Sequence, residues 1–152
     1  MVSRDYEELF KVLNAHKLKY LVVGAHAVIF YTEPRFTKDL DIWIPCDLNR
    51  PETVYEALKE FGAPLRQISK QDFADKKMIL QIGVAPIRVD ILMDIQGVSS
   101  QRAWKNRVKS QYGRARIWIL EKNDLIETKK KAGRPQDRLD LKKLTDPRKK
   151  KL

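Results

Sequence analysis

The chain has 152 residues, which suits one domain with its own hydrophobic core and is short for a core plus a separate substrate domain. Hydrophobic residues make up 43% and charged residues 34%, a balance that excludes both a disordered chain and a membrane protein. The formal net charge of +11 favours a polyanionic partner or substrate, the alternative being a lysine-rich surface that serves solubility.

Two features of the sequence limit the expected compartment and the expected metal: its longest apolar stretch, and its small number of histidines and cysteines. That stretch, residues 20–31, is shorter than the roughly 18 apolar residues of a membrane span, and no export signal is visible. We therefore expect a cytoplasmic protein without a membrane partner. Cys46 stands alone and His16 and His26 are too few for a zinc cluster, so any metal is expected to be a hard cation on oxygen ligands.

The first half of the chain alternates helices and strands. Apolar residues recur at helical spacing over residues 3–15, which predicts an amphipathic helix. Residues 20–23 form a short apolar run that predicts a buried strand, and Gly24 supplies the turn into a second helix over residues 25–31. Residues 40–44 alternate in polarity and are followed by proline, which predicts a further strand.

The second half continues this alternation. Two strands joined at residues 83–86 are predicted to form a hairpin. The predicted elements are a helix over 52–61, strands over 78–84 and 87–93, a basic helix over 99–111, a strand over 116–120, and helices over 123–132 and 136–144. No internal repeat or linker is evident, so we expect one α/β (α+β) domain over residues 1–146, followed by a basic tail over 147–152.

Two aspartates are the sharpest chemical feature of the sequence. Because successive strand residues point to opposite faces, Asp39 and Asp41 share one face, and Trp43 on the same face is placed to stack a base. Neighbouring ionised carboxylates repel each other, and a divalent cation between them removes that conflict. Oxygen ligands at this spacing suit Mg²⁺ held partly by substrate phosphates, the alternative being an acid pair that merely ends a surface strand.

A third acid, Asp90, lies inside the apolar strand predicted over residues 87–93. An unpaired charge in such a strand costs several kcal/mol and is rarely kept without a partner. If this strand neighbours the strand over residues 40–44, three carboxylates meet on one face. The sequence therefore predicts a three-acid site.

Three segments carry a recognisable order of motifs: LVVGAHAV at residues 21–28, PRFTKDLDIWI at 34–44, and a block at 124–141 that contains DLI and GRPQD. Together they resemble the polymerase-β-type nucleotidyltransferase superfamily, and most closely its minimal members related to abortive-infection and toxin–antitoxin transferases. The resemblance implies a mixed β-sheet core flanked by helices and transfer of a nucleotidyl group from an NTP to a hydroxyl acceptor. RNA, a protein and a small molecule are the acceptor classes left open.

The resemblance also implies cofactors and partners. The expected cofactor is a pair of Mg²⁺ ions, with Mn²⁺ as a possible substitute, and a cognate antitoxin is an expected class of partner. The competing interpretation is an inactive module of the same fold that binds nucleotide, RNA or a protein without turnover. A basic RNA-binding adaptor would explain the charge but not the three acids.

Residue by residue, the resemblance assigns metal ligation and catalysis to Asp39, Asp41 and Asp90, and approach of the triphosphate to Gly24. Related transferases usually place serine or a second glycine after that glycine, whereas Ala25 offers no hydroxyl to a phosphate. This departure predicts either weak triphosphate binding or an unusual donor, and it also supports the inactive alternative.

Three basic residues are the remaining nucleotide-binding candidates: Lys38, Lys129 and Arg134. Lys38 precedes the aspartate pair on a loop, where a donor to phosphate would be useful. Lys129 and Arg134 belong to the third motif block, and the alternative for both is a solvated helix face. Asp137 and Asp140 are expected to hold the last helix by pairing with Arg134 or Arg138.

Overall fold

The computed structural model describes residues 3–33, 39–83 and 87–149. Within these ranges helices and strands alternate along the chain, joined by short loops and two 3₁₀ turns. The elements are α1 (Arg4–Ala15), β1 (Leu21–Val23), α2 (Gly24–Tyr31), β2 (Asp39–Trp43), α3 (Pro51–Phe61), β3 (Ile79–Ile82), β4 (Arg88–Leu92), α4 (Ser100–Lys105), β5 (Val108–Tyr112), β6 (Ala115–Ile119), α5 (Lys122–Ala132) and α6 (Pro135–Thr145).

The strands that the structure describes form one mixed sheet of six, in the order β3-β4-β2-β1-β6-β5. β1 runs antiparallel to β2 and parallel to β6, whereas β2 runs parallel to β4. The hairpins β3–β4 and β5–β6 complete the two edges. The predicted mixed sheet flanked by helices is confirmed.

The hydrophobic core covers one face of the central strands. Leu40 and Ile42 of β2 and Val89 and Ile91 of β4 are all buried, and they alternate with the acids of the same strands. Phe10 of α1 packs toward this face, beside Leu40. The acids consequently lie on the opposite, partly exposed face, since side chains alternate along a strand.

Local sequence signals set several element boundaries as expected. The Ser3 hydroxyl accepts a hydrogen bond from the Tyr6 amide at 3.3 Å and caps α1. Gly62 ends α3 in the left-handed conformation, with φ of 97°. No helix formed by the described residues is long and apolar enough to cross a membrane.

The helix predicted over residues 99–111 is wrong in its second half. α4 ends at Lys105, and β5 follows and pairs antiparallel with β6. Val108, Ser110 and Tyr112 are partly buried while the two residues between them are exposed, which is strand periodicity. Strand pairing outweighs local helical preference here, because the partner strand covers one side of the segment.

The expectation that Trp43 stacks a base is also wrong. The side chain lies on the aspartate face but is fully buried in the core. Its register partners are Leu21 of β1 and Leu92 of β4, which flank it on the same face. A ring enclosed by these neighbours offers no surface to a ligand.

Candidate active site

The three predicted acids share one face of the sheet. β2 and β4 are parallel neighbours, and their register places Asp41 opposite Asp90 and Asp39 opposite Arg88. Opposed residues in adjacent strands point to the same side, so the three carboxylates share the face of the sheet that the core leaves open. Among the described residues, no three His, Cys, Asp or Glu side chains form a group close enough to hold a metal ion.

The surroundings of Asp41 disfavour the ionised form of its carboxyl group. Burial raises the pKa of its carboxyl to about 6, and the nearby charges of Asp90 and Asp39 add to the rise. Lys129 and Arg88 oppose it by stabilising the ionised form. A further cation at this position would also stabilise the ionised form, since an opposite charge favours an ionised carboxylate.

Arg88 is a site residue that the sequence interpretation missed. Its guanidinium donates to both carboxylate oxygens of Asp90, at 3.1 and 3.2 Å, and its Nε lies 3.8 Å from Asp39 Oδ1. The signal was available, because Arg88 lies two positions before Asp90 on a strand and so shares its face.

Gly24 makes room for Asp41. It adopts φ of +66° at the junction of β1 and α2, a conformation that other residues rarely adopt. A Cβ at this position would clash with Asp41 Oδ2. The N-cap residue of α2, Val23, makes no side-chain capping hydrogen bond, and the N-terminus of a helix favours an anion.

Gly24→Ala is accordingly expected to lower both stability and nucleotide binding. The positive φ and the clash with Asp41 should together reduce the free energy of unfolding by about 1–3 kcal/mol. Thermal melting and equilibrium binding of an NTP measure the two effects. Gly62→Ala is the matched control, because its φ is also positive but a Cβ there meets open space; equal loss of nucleotide binding in both variants would contradict the role of Gly24.

Lys129 forms a buried ionic cluster with Asp137 and Asp140, and the exposed Arg134 pairs with Asp137 from the solvent side. Lys129 Nζ lies 3.2 Å from Asp137 Oδ1 and 3.1 Å from Asp140 Oδ2, and these three side chains are nearly inaccessible to solvent. Arg134 binds both oxygens of Asp137, through Nε at 2.7 Å and Nη2 at 3.2 Å. The predicted pairing of Asp137 with Arg134 is confirmed, and Asp140 contacts Lys129 and Gln136.

The cluster stabilises the ionised form of Asp137. Burial alone would raise the pKa of Asp137, but hydrogen bonds from the Arg134 side chain and backbone and from Lys129 outweigh burial and lower the pKa to about 2. Lys129 is thereby fixed between α5 and α6 with its charge kept near Asp41. The alternative of a solvated helix face is wrong for Lys129, which is 7% exposed.

A cavity of about 340 Å³ joins these features, near the lower end of the roughly 300–1,000 Å³ typical of ligand pockets. Of the residues predicted from sequence, its wall contains Gly24, Asp41, Lys129 and Arg134. Asp39 and Asp90 flank Asp41 on the same sheet face. Ala25 is the second residue of α2 and contributes no hydroxyl, and Lys38 lies outside the described residues.

The opposite wall of the cavity comes from residues that the sequence did not single out. It consists of Leu92, Asp94, Ile95 and Gln96 at and after the end of β4, together with Thr128 and Ala132 of α5. Gly97 lets this loop pack against α5, since a Cβ there would lie 2.8 Å from the Glu127 carbonyl oxygen. The wall combines apolar surface with hydrogen-bonding groups, a mixture suited to a nucleoside.

The comparisons with known proteins agree with this fold. The lincosamide antibiotic adenylyltransferase LnuA, in a lincomycin-bound crystal structure, superposes with a TM-score of 0.58 at 14% sequence identity. The alignment covers 95% of this chain and 98% of that one, and it shows the fold. No curated protein matches the sequence significantly.

A family pattern covers nearly the whole chain. It matches residues 2–152 and is described as "Nucleotidyl transferase of unknown function (DUF2204)". The match extends through all three motif segments and through the glycine, the acids and the basic cluster described above. The chain therefore belongs to this family of nucleotidyltransferases.

Proposed function

We propose that the protein is a Mg²⁺-dependent nucleotidyltransferase that moves a nucleotidyl group from an NTP to a hydroxyl acceptor. One observation carries the proposal: Asp41 shares a cavity with Gly24, Lys129 and Arg134, while Asp39 and Asp90 stand beside it on the same face. Acidic and basic groups thus meet at one concave site, as transfer from a polyphosphate requires.

The basic side of the cavity suits the triphosphate. The start of α2 presents backbone N–H groups, and Gly24 leaves space for close approach of an anion. Lys129 and Arg134 add two positive charges on the wall of the same cavity. Lys129 is held in place by two carboxylates, so little conformational freedom is lost when a phosphate binds.

The acidic side suits a hard divalent cation. Three carboxylates supply oxygen ligands, and burial together with the charges of Asp90 and Asp39 raises the pKa of Asp41. Asp39 and Asp41 would hold both Mg²⁺ ions and Asp90 the second, with Mn²⁺ able to replace them. When bound, the ions neutralise charge on the reacting phosphate and lower the pKa of the acceptor hydroxyl.

The reaction that fits the site is an in-line displacement. The acceptor oxygen forms a bond to the α-phosphorus, the bond from that phosphorus to the pyrophosphate oxygen breaks, and pyrophosphate leaves. The hydroxyl proton passes to a base, for which Asp90 is the proposed residue. Lys129 and Arg134 bind and orient the phosphates of the donor and of the leaving pyrophosphate.

The test is incubation of the protein with each α-labelled NTP, Mg²⁺ and one acceptor class at a time: RNA, protein or small hydroxyl compounds. ATP is the first donor to examine, because the structurally similar LnuA is an adenylyltransferase. We expect label in one acceptor fraction, release of pyrophosphate, and loss of both in Asp90→Asn. Nucleotide binding without label transfer to any class would instead favour the inactive module.

The acceptor class should be visible in the salt dependence. If the acceptor is RNA, removing residues 148–152 should make the affinity of the protein for RNA less sensitive to salt. The slope of log affinity against log salt concentration should become shallower by about 0.7 for each single-strand phosphate that the tail no longer neutralises. With a small-molecule acceptor such as an antibiotic, the class bound in the LnuA crystal structure, the deletion should leave turnover unchanged at every salt concentration. Turnover and RNA affinity of the deletion variant across a salt series measure this difference.

A further inference from the structure

The acidic face of the site already carries a positive charge, the guanidinium of Arg88. Arg88 engages both oxygens of Asp90 in a bidentate pair and approaches Asp39 to 3.8 Å. These two acids are proposed metal ligands, and the guanidinium occupies the same oxygens that a divalent ion would use. Bidentate arginine–carboxylate pairs are among the strongest and most directional hydrogen-bonded pairs in proteins.

The three acids and Arg88 share one face, but in the part of the chain that the structure describes the acids do not form a ready metal site. Within the described ranges, the acids do not come together as a group of three around one point. Asp90 instead faces Arg88, which is its neighbour two positions earlier on β4 and the register partner of Asp39. The guanidinium therefore both screens the repulsion among the acids and keeps Asp90 engaged.

The Arg88 side chain is able to leave without disturbing the sheet. It is 36% exposed, so solvent reaches the guanidinium, whereas Asp90 is 17% exposed. The backbone of Arg88 is fixed from the other side, because the Tyr6 hydroxyl donates to its carbonyl oxygen at 3.1 Å. A change of side-chain rotamer is then enough to release Asp90 from the bidentate pair.

We propose that Arg88 is an internal counter-ion that competes with a divalent cation for Asp90 and Asp39, so that the cation binds only as the guanidinium is displaced. The inference rests on the proposed function, since it takes these acids as metal ligands. Arg88 stabilises the acidic face while no cation is bound and weakens the site for the cation. Arg88 is a positioning residue of the metal site.

The test measures Mn²⁺ binding to the metal-free protein by isothermal titration calorimetry, without substrate. Arg88→Gln is expected to lower the Kd for Mn²⁺ at least about fivefold and to lower the melting temperature of the metal-free protein, because the acids lose their counter-charge. Arg50→Gln is the matched control: Arg50 is 83% exposed and pairs with Glu52 on the surface, so its Mn²⁺ affinity should equal that of the wild type.

Arg88→Lys distinguishes displacement of the guanidinium by the metal ion from a long-range effect of its positive charge on Mn²⁺ binding. Lysine keeps the positive charge but cannot make the bidentate pair, so displacement predicts tighter Mn²⁺ binding than in the wild type, to a degree between wild type and Arg88→Gln. A Kd for Arg88→Lys equal to that of the wild type would overturn the proposal, as would unchanged or weaker binding in Arg88→Gln. If Arg88→Gln does not fold, Arg88→Lys alone decides between the two outcomes.

The proposed function can fail separately. Absence of Mn²⁺ binding in the wild type and in every variant overturns the metal site together with the role of Arg88. Metal-dependent transfer that persists while the Arg88 variants bind Mn²⁺ like the wild type overturns only the role of Arg88. The calorimetric readout is independent of turnover, so the two results are not confused.

Discussion

Asp41→Asn is expected to lower nucleotidyl transfer at least about 10²-fold, the scale of losing one charge-stabilising group in an active site, while raising the melting temperature of the metal-free protein above pH 7. Asparagine keeps the shape of the side chain but removes one of three neighbouring negative charges. The pKa of Asp41 is raised to about 6 by burial and by Asp90 and Asp39, so the ionised form is unfavourable in the fold. Removing that charge relieves the stress.

The pH dependence of stability follows from the direction of this shift. The folded-state pKa of about 6 lies above the ordinary value of 3.8 for an aspartate, so between these values the folded state binds more protons than the unfolded state. The stabilising effect of protonation is complete below the unfolded value and is lost as the pH rises through about 6. The melting temperatures of the wild type and Asp41→Asn should therefore coincide below about pH 4, diverge between about pH 4 and pH 6, and differ by a constant amount above pH 6, with the variant more stable.

Metal provides the second readout for Asp41. Mg²⁺ that binds only the folded protein should raise the melting temperature of the wild type, and the rise should largely vanish in Asp41→Asn. Asp75→Asn is a suitable control, because Asp75 lies in an exposed loop and is no proposed ligand. A variant that melts several degrees below the wild type at pH 8 without metal, or that keeps its activity, would show that Asp41 is structural.

Lys129→Ala is expected to be the most destabilising single substitution proposed for this protein. It would leave Asp137 and Asp140, both buried, without the ammonium group that contacts them. Breaking a buried ion pair from one side typically costs about 3–5 kcal/mol, and each kcal/mol lowers the melting temperature by about 2–4 °C in a chain of this size. NTP binding should fall as well, because a positive charge is lost from the cavity wall.

The two losses can be separated with matched variants. Lys129→Met combined with Asp137→Asn and Asp140→Asn removes all three charges and should recover much of the stability, since no buried charge is left uncompensated. It should not recover NTP affinity if Lys129 contacts the phosphates. Lys130→Ala is the control, because Lys130 is 60% exposed and pairs with Glu127 on the surface. Recovery of NTP affinity in the triple variant would assign Lys129 a purely structural role.

The sequence predicted most of the fold from local patterns. The periodicity of α1, the turn at Gly24 and the alternation along β2 are set by residues close together in the chain, and all three were confirmed. The helix predicted over the β5 segment was wrong. Its helical pattern is local, whereas the hydrogen bonds that hold it as a strand come from β6, across a turn. The buried position of Trp43 was missed for the same reason, since its neighbours come from β1 and β4.

The same distinction between local patterns and tertiary contacts applies to the candidate site. By itself, the sequence determined which strand face each acid occupies, because side chains alternate with a period of two, and it predicted which residues are candidates for the chemistry. Only the tertiary structure decided that β4 pairs with β2 in the register that sets Asp41 opposite Asp90 and Asp39 opposite Arg88, and that Lys129 is held by Asp137 and Asp140. These contacts join segments whose approach depends on how the intervening helices pack, and no local periodicity encodes that distance.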